Sequence, residues 1–90
     1  MNSGFFFTPK GWEEHLDLQM NDKRTLIKVN KLIADAVRNG HSGIGHPKPL
    51  KNEYSGWWSR EIDKKNRLIY RIREDGVVEI AHCQGHYGDK

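Results

Sequence analysis

The sequence predicts an α+β domain in which a two-helix hairpin packs on an antiparallel sheet of about four strands. Three observations predict it. Apolar residues recur every three or four positions between Trp12 and Val37, the period of helices. From Trp57 onward they alternate with polar residues, the period of strands. Between the two regions, His41 to Pro49 is rich in glycine and proline and carries neither period.

The elements follow in order. Phe5-Phe6-Phe7-Thr8 is aromatic and β-branched and reads as a short strand that Pro9 stops. Thr8 is placed to cap a helix with Pro9 in its first turn. Trp12, Leu16 and Met20, four apart, mark one apolar face of that helix, with Glu13, Glu14, His15 and Asp17 off it. Asn21-Asp22 breaks the pattern and offers a fresh cap. Leu26, Val29, Ile33 and Val37 then define a second amphipathic helix, which Asn39-Gly40 ends. His41 to Pro49 is expected to be a loop without regular structure. Trp57 to Ile62, Leu68 to Ile72 and Val77 to Cys83 read as three strands, joined by turns at Lys64-Lys65-Asn66 and Asp75-Gly76. No internal repeat appears, and residues 1–90 read as one domain.

Composition bounds the function. Fifteen basic and twelve acidic residues leave a net charge of +3 over 90 residues. The balance is uneven: residues 46–73 carry a net +5 and residues 74–90 a net −3. A basic segment in a weakly charged chain points to an anionic partner at one face. With Cys83 as the only cysteine, no intramolecular disulfide forms, and a reducing cytoplasm is the expected setting. No apolar run approaches the roughly 20 residues of a membrane span, and Phe5-Phe6-Phe7 is too short for a signal-peptide core.

The candidate chemistry lies in three places. The loop from Gly43 to Lys51 carries two glycines able to approach a phosphate, but matches no nucleotide-binding fingerprint, and a proline-stiffened connector is the plainer reading. Arg60, Arg67, Arg71 and Arg73 lie on predicted strands, and alternation puts the last three on one face, where guanidinium forks could hold phosphate. His86-Tyr87 follows the last strand, offering a proton donor or acceptor near neutrality and a stacking ring. His15, His41, His46 and His82 read as structural or surface residues, and their spacing meets no metal rule, so no metal or cofactor is expected. Trp57-Trp58 reads as core plus one exposed ring, and Cys83 as a buried small apolar residue. Arg, Lys, His and Tyr near one sheet edge suit metal-free RNA cleavage, in which a 2′-hydroxyl attacks the adjacent phosphate.

Several stretches resemble the YoeB toxins of bacterial toxin–antitoxin pairs, within the RelE-like superfamily. They include Trp12-Glu13, Asp22-Lys23-Arg24, Asn30 with Leu32-Ile33, Gly43-x-Gly45-x-Pro47-x-Pro49-Leu50-Lys51, Ser55-Gly56-x-Trp58-Ser59-Arg60, Asn66-Arg67-Leu68-Ile69-Tyr70 and His86-Tyr87. The resemblance implies a microbial-ribonuclease-like fold, cleavage of mRNA in the decoding site of the 70S ribosome, and inhibition by a YefM/Phd-type antitoxin. Members often form homodimers. Carried over by position, Arg67 stabilises phosphate charge, His86 is the general acid, Tyr87 helps place the scissile group, and Lys51 contacts phosphate. Arg60, Trp58 and Arg71 are the further residues expected to meet RNA.

Two positions depart from the family pattern. Its loop has a glutamate, proposed as general base, where this chain has Lys48; its strand has a second arginine where this chain has Glu61. One reading is that the charges have been exchanged, so that a Lys48–Glu61 pair replaces a Glu–Arg pair and Glu61 serves as base. A second is that Lys48 acts directly. A third is a weakened or inactive toxin that works as an antitoxin- or ribosome-binding module.

Overall fold

A computed structural model describes residues 4–86 of the chain. Five strands form one sheet in the order β1-β5-β4-β3-β2: β1 is Phe5–Phe7, β2 Lys48–Pro49, β3 Trp58–Glu61, β4 Arg67–Ile72 and β5 Val78–His82. Two helices, α1 (Pro9–Asn21) and α2 (Lys23–Asn39), follow β1. The core lies between helices and sheet, with Leu18, Val29, Leu32, Ile33 and Ala36 packed on Ile62, Leu68, Tyr70, Val78, Ile80 and Cys83.

Local chemistry sets the helix ends as expected. The Thr8 hydroxyl accepts from the Gly11 amide at 3.1 Å, and Pro9 occupies the first turn, where a missing N–H costs nothing. Asp22 ends α1 and caps α2 at once, its carboxylate accepting from the Thr25 amide at 3.1 Å and hydroxyl at 2.8 Å. One residue between helices makes the hairpin tight.

The sheet differs from expectation in three ways. It has five strands and is mixed, because β1 pairs in parallel with β5 while the other pairings are antiparallel. The loop expected to be irregular contributes β2, where Lys48 pairs with Ser59 and Pro49 with Trp58. Proline is tolerated there because β2 is an edge strand, whose outer side needs no donor. A register shift between Ile69 and Tyr70 makes Ala81 a bulge in β5. The bulge moves the alternation by one, which brings Cys83 to the core with Ile80.

The face of α1 also differs. Trp12, Leu16 and Met20 are 47%, 40% and 78% exposed, whereas Gly11, Glu14 and Leu18 are buried. Gly11 decides the orientation: a Cβ there would lie 2.5 Å from the Ile80 carbonyl oxygen, so only glycine lets α1 approach β5 this closely.

Candidate active site

The polypeptide builds a cleft at one end of the sheet, and three segments wall it. Ile44, Gly45 and His46 come from the loop, Lys28 and Leu32 from α2, and Glu61 to Lys64 with Arg67 from the β3–β4 hairpin. Its volume is about 530 Å³. Glu61 and Arg67 stand directly opposite each other on the β3–β4 ladder. The Arg67 guanidinium donates to the Asp63 carbonyl at 2.5 Å and to the Asn66 carbonyl at 3.1 Å, which fixes its direction at the hairpin turn. Asp63 shapes that turn by accepting from the Lys65 and Asn66 amides, each at 2.8 Å.

His86 reaches the same turn. Its Nε2 lies 3.1 Å from the Lys64 carbonyl oxygen, and its ring is exposed. The segment before it is pinned from two sides. The Arg67 amide donates to the Gly85 carbonyl, and the Gly85 amide to Asn66 Oδ1, both at 2.9 Å. On the other side the buried Glu14 carboxylate accepts from the Cys83 amide at 2.8 Å and the Gln84 amide at 3.0 Å, and lies 3.0 Å from His82 Nδ1. Three donors make a buried carboxylate tolerable. Sequence reading missed Glu14, because a glutamate in an amphipathic helix looks like a solvent residue. Burial and the Glu14 charge push the Cys83 thiol up to about 12, so it stays protonated and unreactive at neutral pH.

The loop is held by Arg60. Arg60 Nε donates to the Tyr70 hydroxyl at 3.0 Å. Its Nη1 donates to Asp35 Oδ2 at 2.5 Å and the Ile44 carbonyl at 3.0 Å, and its Nη2 to the carbonyls of Gly40 at 2.7 Å and Ser42 at 2.9 Å. A guanidinium has five N–H groups, and here each has a partner inside the protein. Arg60 is fully buried. The expectation that it meets RNA is therefore corrected: it ties the loop to the sheet. The loop glycines serve the same closeness. A Cβ on Gly43 would overlap the Asp35 carboxylate, and one on Gly45 would lie 2.8 Å from Leu32 Cδ2 and 3.2 Å from Arg60 Cβ.

The remaining expected residues spread outward from the cleft. Lys48, on β2, is exposed and shares a sheet face with Ser59 and Glu61. The expected Lys48–Glu61 ion pair is not formed. The register puts Lys48 opposite Ser59, one diagonal step from Glu61, and the Glu61 carboxylate makes no hydrogen bond or ion pair among the described residues. Lys51 is exposed just beyond β2. Arg71 bonds Glu79 at 2.8 Å and lies over the Trp57 ring at 4.5 Å. Trp58 packs against the core and is stacked by His41 at 3.9 Å, so the ring expected to meet RNA is engaged within the protein. Tyr87 lies outside the described residues.

Most of the chain matches one family. Residues 7–87 match the family model of the YoeB-like toxin of bacterial type II toxin-antitoxin systems. The chain belongs to the YoeB toxin family. It is 41% identical over 81 residues to a Streptomyces coelicolor toxin YoeB, covering 90% of this chain and 95% of that one. Its fold superposes on a YoeB/ParE toxin from Agrobacterium tumefaciens with a TM-score of 0.90 at 34% identity, over 94% of this chain and all of that one. A YoeB from Staphylococcus aureus, solved in a heterotetrameric complex with YefM, superposes with a TM-score of 0.85 at 37% identity, over 92% and 95% of the two chains. Of the site residues named from the sequence, Glu61 and Arg67 line the cleft, and His86 meets the neighbouring turn at the Lys64 carbonyl.

Proposed function

We propose that this chain is a ribosome-dependent mRNA endonuclease that halts translation, is held inactive by a YefM-type antitoxin and works in the cytoplasm. The observation that carries the reading is the convergence of Arg67 and His86 on one hairpin turn, beside a cleft of about 530 Å³. An arginine can match the charge that develops on a phosphorane. A histidine can give a proton to a leaving oxygen. In the scheme, the 2′-oxygen attacks phosphorus, a base takes its proton, the bond to the 5′-oxygen breaks, and His86 protonates that oxygen. Tyr87, the next residue, helps place the scissile group. Lys51 and Arg71 are exposed and do not line the cleft, and in this reading they meet flanking phosphates. The weak net charge of the chain supports delivery of mRNA by the ribosome rather than capture of free RNA.

A second reading is a binding module without chemistry, favoured by Lys48 at the position of the family's loop acid. Expression in cells without antitoxin separates the two. The nuclease reading predicts growth arrest that a YefM-type antitoxin relieves and that Arg67→Ala or His86→Gln abolishes. Arrest that survives both substitutions would support the binding reading instead.

A further inference from the structure

We infer that His46 is the general base of this site, taking the proton from the attacking 2′-hydroxyl in place of the acid that the loop has exchanged for Lys48. The assignment rests on the nuclease reading above and deepens it. Three observations lead to it. First, His46 lines the cleft together with Glu61 and Arg67. The Glu61 amide donates to the Gly45 carbonyl at 2.7 Å, which ties the backbone just before His46 to β3 at Glu61. Glu61 in turn faces Arg67 on the ladder. His46, Glu61 and Arg67 thus line one cleft, with Glu61 tied by its backbone to the loop on one side and paired with Arg67 on the other.

Second, the backbone at His46 is strained. Its φ is 53°, the left-handed region that non-glycine residues seldom adopt, and a proline follows it. Strain of this kind persists where neighbouring structure over-determines it, and it gathers at working sites. The over-determination is visible: Gly45 is wedged between Leu32 and Arg60, and Arg60 holds the loop by three carbonyls. A glycine at position 46 would relieve the strain.

Third, the imidazole has nothing else to do. His15 bonds Asn30, His41 stacks on Trp58, His82 bonds Glu14, and His86 bonds the Lys64 carbonyl. The His46 ring is exposed and makes no hydrogen bond or ring contact among the described residues. Of the side chains on this rim, histidine alone has an ordinary titration range that spans neutrality, so it can hold a lone pair before the step and a proton after it. A lysine ammonium has no lone pair to offer. Glu61, which lines the same cleft, is the carboxylate available to stabilise the imidazolium that forms. The charged residues that line the cleft with His46 are Lys28 from α2, Glu61 from β3, Asp63 and Lys64 from the turn, and Arg67 from β4. The step balances: the 2′-O–H bond breaks as the O–P bond forms, His46 gains the proton, the P–O5′ bond breaks, and His86 supplies the proton of the new 5′-hydroxyl. The RNA ends are a 2′,3′-cyclic phosphate and a 5′-hydroxyl.

The test is single-turnover cleavage of mRNA on programmed ribosomes as a function of pH, with wild type, His46→Gly and His86→Gln. His46→Gly is expected to keep or raise thermal stability and to cut at least about 100-fold more slowly. It should lose the rise of rate with pH that a histidine base gives, keep the alkaline fall that His86 gives, and regain rate with added imidazole. His86→Gln should lose the alkaline fall instead. Wild-type cleavage by His46→Gly would overturn the assignment. So would a slowing that is uniform in pH and insensitive to imidazole, which would make His46 a positioning residue. A wild-type protein that cuts nothing overturns the nuclease reading, and the assignment with it.

Discussion

Arg60 shows how far a residue's type can mislead about its use. In the sequence it is one of several arginines on a basic strand, and phosphate binding is the natural expectation. In the fold all five of its donors are spent on Asp35, Tyr70 and three loop carbonyls. Lysine offers three donors on a single nitrogen and cannot reproduce that planar fork. Arg60→Lys is therefore expected to lower the unfolding free energy by about 2–4 kcal/mol, because several buried carbonyls lose their partner. Urea unfolding of the purified protein checks this; an RNA-contact residue would leave the midpoint unchanged. Thr8, Pro9, Asp22 and Gly40 were legible from sequence because capping is local. Glu14 and Asp35 were not, because the partners that decide their roles, Cys83 and Arg60, lie 69 and 25 residues away along the chain.

At the scale of elements, existence and order were legible, and orientation was not. Both helices and the three-stranded meander stand where periodicity put them. The apolar stripe Trp12, Leu16, Met20 pointed the wrong face of α1 at the core, because a glycine carries no hydropathy signal and Gly11 sets the closest approach. The corrected face makes a contrast. Leu18→Ala should cost about 2–5 kcal/mol, as a buried leucine does. Leu16→Ala should cost under about 1 kcal/mol. Equal costs in chemical denaturation would return the stripe to the core. The bulge at Ala81 and the edge strand β2 were likewise invisible to a strict period of two, since each depends on a partner strand.

For the whole molecule, the site exists only after folding. Arg67, His86, Glu61 and Lys48 were all named from sequence, but the cleft that Arg67 and Glu61 line needs α2, the loop and the hairpin turn together. The loop's attachment also sets the acid response. The Arg60 guanidinium beside Asp35 holds its carboxyl below the usual carboxylate range. Asp35 therefore stabilises the folded state above its ordinary titration near pH ~3.9, and that contribution is lost as pH falls further. Burial and the Arg60 charge hold His41 below the usual imidazole range, so protonation opposes folding, and its share of stability falls as pH drops below ~6.5. Unfolding free energy should thus decline in two stages between neutrality and pH 3, and Asp35→Asn should remove part of the lower one.

The measurement closest to the central claim is toeprinting of a translated mRNA on purified 70S ribosomes, with and without the protein. The account predicts a new cut within the A-site codon, absent on free RNA and lost with His86→Gln. An uncut message, from a protein that still binds ribosomes or a YefM-type antitoxin, would contradict it.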